Sequence, residues 1–369
     1  MLKQYRIRNY HFQLIAYIAA LTIMGIFIIG SAQKSVQNKQ IIGFLFGMVI
    51  MIAISFMDYS FVLRFSWLMY FVMIILLVLV HTSVGDSAGG AQRWIQLPGF
   101  KFQPSELAKI IVILFFSKFF MKYTETVNTV KTMAMAFIII FFPLILILKQ
   151  PDTSTTLMIA FIFIVLLFIS GLSYKIVMSV IGISLPIAIL FLSYVIKNAD
   201  ALYRDHYQFR RILSWIDPQK YSDDALQQQN AMMAIGSGQL WGKGLYNSEA
   251  TSMKNANYII EPQTDFIFAV AGEELGFVGT FMIILLLFLI VLECILIARK
   301  AKDLSGRLIC CGMATLIAFQ AFINICVATG LMPNTGIPLP FVSYGLTSLV
   351  SLYIGMGFVL NVGLQPKKY

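Results

Sequence analysis

Charge is what this chain has least of. Lys, Arg, Asp and Glu supply 12% of its 369 residues against 59% hydrophobic residues, and the mean hydropathy is +0.82. An average soluble domain carries about a quarter charged residues, so a soluble globular protein is excluded and an integral membrane protein is indicated. Histidine and cysteine are scarce as well. His11, His81 and His206 lie far apart, and none stands in an H-E-x-x-H pattern. Cys294, Cys310, Cys311 and Cys326 sit in or beside apolar segments without a C-x-x-C spacing, so they read as small hydrophobes and exclude a disulfide or zinc framework. Internal repeats and low-complexity segments are absent. The net charge of +10 fits anionic partners, either lipid head groups or a phosphorylated substrate, while the scatter of the basic residues argues against nucleic acid.

What the chain has in plenty is apolar runs of helical-span length, which indicate a helical bundle and not a β-barrel. The first, about residues 11–30, is too long for a signal-peptide core and has no convincing cleavage site, so it is retained as a span. Further runs fall at about 41–57, 65–82, 105–122, 132–148, 154–171, 175–196, 266–298, 308–329 and 340–362. The expectation is an all-α polytopic membrane protein. Its ten transmembrane helices leave a large extracytoplasmic loop between helices 7 and 8, and residues 1–369 make a single integral membrane domain. With the N-terminus inside, the internal segments hold 14 Lys and Arg against 5 in the short outer loops. That bias puts both termini in the cytoplasm and the loops at about 83–104 and 197–264 outside.

The second of these loops ends in Gln263-Thr264-Asp265-Phe266-Ile267-Phe268, where the chain re-enters the membrane. Pro262 disfavours helix at Glu261, which predicts a helix start just after it and Asp265 in the first turn, where the dipole favours an ionised carboxylate. Locally, Asp265 is either a helix cap or a base at the membrane rim. At about 100° per residue, Gly272, Gly276 and Gly279 share its face, permitting close helix contact or leaving a groove. Glu273 and Glu274 point elsewhere, so one carboxylate would act alone.

Other constellations carry paired readings. Glu106 and Lys109, three apart after Pro104, share a face and can pair. A lysine near the bilayer centre costs about 2.5–3.5 kcal/mol on insertion scales, so the pair is either a structural anchor or part of the site. Arg93 beside Trp94 suits an interfacial anchor or a phosphate grip. Asp152, in Gln150-Pro151-Asp152, fits a turn in which it caps the next helix. Gly236 to Gly244 is not a Walker loop, because Ser237 stands where a glycine is needed and Gly244 where Ser or Thr is needed. Its Lys243 can still meet a lipid diphosphate. Gly330 to Pro340 cannot be regular helix and, with Phe341-Val342-Ser343-Tyr344-Gly345, predicts a rigid re-entrant lip around a cavity. Asn324, midway along an apolar run, needs a partner inside the bundle.

Taken together and in order, Gly90-Ala91-Gln92-Arg93-Trp94-Ile95, Phe102-Gln103-Pro104-Ser105-Glu106-Leu107-Ala108-Lys109, Gln150-Pro151-Asp152, Gly242-Lys243-Gly244, the Asp265 motif with Gly272-Glu273-Glu274-Leu275-Gly276, and Gly336 to Gly345 resemble the SEDS family, that of RodA, FtsW and SpoVE. The resemblance covers nearly the whole chain. Ser154 and Leu346 stand where that family usually has glycine. The Ile-Pro-Leu-Pro version of the last motif and the short tails are nearer RodA. The resemblance implies a peptidoglycan glycosyltransferase that polymerises lipid II at the outer face of the bacterial cytoplasmic membrane. Asp265 would be the general base and undecaprenyl diphosphate the leaving group, in a role in cell shape, elongation or division. It further implies substrate contacts from Arg93, Gln103, Glu106, Lys109, Asp152, Lys243, Asn324 and Ser343, and a supporting divalent cation (Mg2+ or Mn2+) with no organic cofactor. The implied partner is a class B penicillin-binding protein that crosslinks the strands. A lipid II flippase, or a scaffold that recruits the transpeptidase, are the alternatives.

Overall fold

The computed structural model describes residues 10–82, 85–88, 91–97, 100–205, 207–247, 252–254 and 258–365. The basic tail residues Lys3, Arg6, Arg8, Lys367 and Lys368, the motif residue Gly90, and His206 lie outside them. The chain is mostly helical, and every one of the ten predicted runs falls on a helix. In order these are α1 (Phe12–Ala32), α2 (Lys34–Ser55), the short α3 (Tyr59–Val62) running on through a 3-10 turn into α4 (Ser66–Leu79), α5 (Pro104–Lys122), α6 (Val130–Leu148), α7 (Thr153–Ile169) and α8 (Tyr174–Lys197). After them come α9 (Ala199–Asp205), α10 (Tyr207–Ile216), α11 (Ser222–Ser237), α12 (Ile267–Lys300), α13 (Leu304–Ala328) and α14 (Leu346–Leu364). Seven of the described helices are long and apolar enough to cross a membrane; α7, with 17 residues, is apolar but shorter. The protein is a multi-pass membrane protein.

α5, α13 and α14 bury most of their residues and form the inner layer. α5 is apolar all round except for Ser105, Glu106, Lys109, Ser117, Lys118 and Lys122, the pattern of a helix enclosed by others. Around it, α2, α4 and α6 bury one stripe each and expose Ile42, Phe46, Val49, Trp67, Phe71, Phe137 and Phe141, the surface a bilayer covers. α8, α9 and α10 contribute to a separate small core of Val195, Leu213 and Tyr221, with Phe209 and Ile212 packed against it.

Two stretches expected as loops are ordered. Within 83–104 the chain makes β1 (Gly85–Ala88), β2 (Ala91–Leu97) and β3 (Phe100–Phe102), an antiparallel sheet with β2 in the centre. Gly85 pairs with Ile95, and Ile95 in turn with Phe102. Trp94 and Ile95 favour strand; the segment is too short for its period to stand out against the apolar runs. Within 197–264, α9, α10 and α11 replace the expected loop, because their apolar residues repeat at helical spacing only over one to four turns.

α12 is not continuous. Gly276 adopts φ +64°, ψ −161°, and the chain from Gly238 to Gly244 crosses the break. The amides of Phe277 and Val278 donate to the Gln239 and Leu240 carbonyls (2.8 and 3.2 Å), and those of Lys243 and Gly244 donate to Glu273 and Glu274 (2.9 Å each). A Cβ at Gly276 would lie 2.4 Å from the Gly242 nitrogen, and one at Gly242 would lie 2.1 Å from the Glu274 oxygen. The Gly-rich stretch therefore serves backbone crossing. Gly276→Ala adds this clash to a disfavoured backbone region, itself worth about 1–3 kcal/mol. The expected result is a clear drop in Tm in detergent; an unchanged Tm would show that the crossing does not need the glycine.

Candidate active site

The Asp265 carboxyl lies against the lip, beside Gly336. It stands two residues ahead of α12, whose N-cap position is Phe266 with no side-chain cap, so Asp265 is neither in the first turn nor a cap. The helix starts later than Pro262 suggested because 261–266 is a turn whose carbonyls bond to the lip and to α13. Tyr344 N donates to the Gln263 carbonyl (2.9 Å), Ser343 Oγ to that of Thr264 (2.7 Å), and Asn324 Nδ2 to that of Asp265 (2.8 Å). The backbone is pinned while the carboxyl is left for other work: among the described residues no hydrogen bond reaches it.

Burial pushes the Asp265 pKa up to about 6, against the opposing pull of Arg211 and, more weakly, Arg93; Glu261 and Asp152 add to the rise. The expected stabilisation of the ionised form by a helix dipole is therefore overridden by desolvation. Gly336, at φ +70°, keeps the space beside the carboxyl open, since a Cβ there would lie 3.3 Å from Asp265 Oδ2 and 3.9 Å from Arg211 Nη1. Arg211 was not among the residues the sequence singled out. It stands on α10 one turn before Trp215, and Trp215 Nε1 donates to the Gly330 carbonyl (2.9 Å), fastening α10 to the start of the lip. Positions four apart share a helix face, so Trp215 anchors the face that carries Arg211 to Asp265. The strongly amphipathic pattern of Tyr207–Ile216 was the available signal.

Arg93, on β2, donates through Nε to the Gln150 carbonyl (3.1 Å) and through Nη2 to that of Pro151. Its guanidinium thus ties the sheet to the turn before α7 and adds positive charge near Asp265. Asp152 caps α7, accepting from Thr155 N (3.1 Å) and Thr155 Oγ1 (2.9 Å). Ser154, where the family usually has glycine, donates to the Thr335 carbonyl of the lip (2.7 Å). Ser343 accepts from Leu339 N (2.7 Å) besides bonding Thr264, and Asn324 donates also to the Ile337 carbonyl (2.7 Å). Glu106 and Lys109 pair at 2.8 Å with side chains 5% and 3% exposed, deep in the bundle. Gln103 bonds Ser105 Oγ (3.1 Å) at the start of α5. Lys243 pairs with Glu273 at 2.8 Å and not with Asp265. Of the two readings of the glycine face, close helix contact is the one found: Gly272 meets Ile235 of α11, and the face ends at the Gly276 break.

The sequence profile of the FtsW/RodA/SpoVE cell cycle protein family matches residues 6–368. The chain belongs to this family. The probable peptidoglycan glycosyltransferase FtsW of Geobacter metallireducens is 32% identical over 98% of this chain and 96% of its own length. The peptidoglycan glycosyltransferase MrdB of Escherichia coli K12 is 34% identical over 81% of this chain and 78% of its own. Among solved structures, a chain of a peptidoglycan synthase complex that coordinates polymerization and crosslinking superposes with a TM-score of 0.77 at 28% identity, over 96% of this chain and 97% of that one. The rod shape determining protein RodA of Thermus thermophilus superposes with a TM-score of 0.69 at 26% identity, over 96% of each chain. The family's fold is therefore present over nearly all of this chain, with Asp265, Arg211 and the lip meeting at one end of the bundle.

Proposed function

We infer that the chain is a peptidoglycan glycosyltransferase of this family, the activity carried by its FtsW and MrdB relatives. One observation supports the site assignment above the rest: a single desolvated carboxyl, with no hydrogen-bond partner among the described residues, that feels the positive charges of Arg211 and Arg93. Asp265 takes the proton from the 4-hydroxyl of the acceptor's GlcNAc. The freed oxygen forms its bond to C1 of the donor's MurNAc with inversion, and the C1–O bond to undecaprenyl diphosphate breaks. A positioned base contributes about 10²–10⁴ in rate. Arg211 and Arg93 supply fixed positive charge for the departing diphosphate. Among the described residues no group of three or more His, Cys, Asp or Glu is placed to hold a metal ion. A supporting Mg2+ or Mn2+ is therefore proposed to be held largely by the substrate's own diphosphate, whose oxygens suit such a cation.

In this reading the ten helices that overlie the predicted runs all span, both termini are cytoplasmic, and the site opens on the outer face, where lipid II is delivered. A class B penicillin-binding protein is the proposed partner, in keeping with the crosslinking complex that contains the structural relative. Purified protein given lipid II in detergent is expected to form glycan strands, with kcat/KM falling below an acid limb near pH 6. The sign follows from the raised pKa: a base is active when ionised, so activity is lost as pH drops through the folded value of about 6. Protein that makes no polymer even with its partner, yet moves lipid II across vesicles, would favour the flippase alternative and overturn this reading.

A further inference from the structure

A column of buried polar groups leads from the Glu106–Lys109 pair to Asp265, and its middle member belongs to no part of the site so far. Gln320, on α13, is 0% exposed. Its Nε2 donates to the Pro338 carbonyl of the lip (2.9 Å), and its Oε1 takes a long contact of 3.5 Å from Lys109 Nζ. Asn324 stands four residues on, on the same face of α13. It bonds the neighbouring lip carbonyl, Ile337, and the Asp265 carbonyl. Thus α5 meets the lip through Gln320, and the lip meets Asp265 through Asn324.

We propose that Gln320 is a positioning residue for the transfer reaction, transmitting the fixed position of the buried ion pair to the lip and so to Asp265. The chemistry calls for a side chain that both donates and accepts. The Lys109 ammonium only donates and the Pro338 carbonyl only accepts, so the group between them must offer an acceptor to one and a donor to the other. Glutamine does both in one orientation. Glutamate lacks the donor, lysine lacks the acceptor, and an aliphatic side chain lacks both. Pro338 and Pro340 lack a backbone N–H, and the carbonyls at 337 and 338 take side-chain donors from α13.

The inference rests on the glycosyltransferase reading, and the test keeps the two apart. Wild type, Gln320→Met and Gln320→Glu are purified in detergent and compared by thermal melting and by pH–rate profiles for polymerisation of lipid II. Methionine keeps the length and suits an apolar interior; glutamate keeps the acceptor towards Lys109. Both variants are expected to fold and to lose about 10²-fold in kcat, the scale of a misplacement of about 1 Å. KM is expected to stay nearly unchanged. Their acid limb should move below the wild-type value, because a loosened lip lets water reach the Asp265 carboxyl. Lys109→Met combined with Gln320→Met should lose little more than the worse single variant, since the two act in series. Folded variants with wild-type kcat and acid limb overturn the proposal. A loss confined to KM overturns it in favour of a substrate contact, and failure of both variants to fold overturns it in favour of a purely structural role. The wild-type profile in the same series reports on the activity reading by itself.

Discussion

Asp265→Asn yields a folded membrane protein that polymerises lipid II about 10²–10⁴-fold more slowly than wild type, the contribution of a positioned base. Asparagine keeps the shape and leaves the 263–265 backbone contacts to Asn324, Ser343 and Tyr344 in place, so the loss isolates proton removal. The variant should also be the more stable protein at neutral pH. With the folded pKa near 6 and the ordinary value at 3.8, the unfolded chain ionises first as pH rises. Stability is therefore lost between about pH 4 and pH 6, and the ionised carboxylate disfavours the fold above that window. Asparagine removes the penalty, so its Tm should match or exceed that of wild type at pH 7, with the difference vanishing at pH 4. Greater stability with lost activity is the mark of a group kept for function. Near-normal polymerisation by the variant would show that another group takes the proton.

Lys109→Met is the second large effect, this time on stability. The pair it breaks is almost fully buried, and removing one partner of such a pair costs about 3–5 kcal/mol because the other charge is left without its counter-ion. Glu106 Oε2 already has no hydrogen-bond partner, so nothing nearby takes over from Lys109. A pronounced fall in Tm is expected. Glu106→Leu with Lys109→Met should recover most of it, since replacing both members of a buried pair by apolar residues of similar size is often close to neutral. The double variant should nonetheless remain slow, because the long contact from Lys109 to Gln320 is gone. Melting of Lys109→Met at the wild-type temperature would mean that the pair does not anchor α5.

Much of this was legible in the chain alone. Charge poverty and the spacing of apolar runs determined the membrane class and put a helix under each run, because a bilayer demands long, locally hydrogen-bonded apolar segments whatever their neighbours. The motif order determined the family, and Asp265 stood out as a lone carboxylate at a helix boundary. The Glu106–Lys109 pairing followed from a spacing of three, and the Asp152 cap from its place before α7.

Tertiary structure decided the rest, in each case because the deciding partner is remote in sequence. The break at Gly276 exists because residues 238–244 cross it, which no helical periodicity records. Lys243 is taken by Glu273, thirty positions on, and Arg211 acts on Asp265 from α10, whose Trp215 is bonded to Gly330. The sheet at 85–102 pairs strands too short for their alternation to register. The sequence put a carboxylate at the rim of the membrane. Desolvation by burial, opposed by the charges of Arg211 and Arg93 from distant segments, is what raises its pKa to about 6.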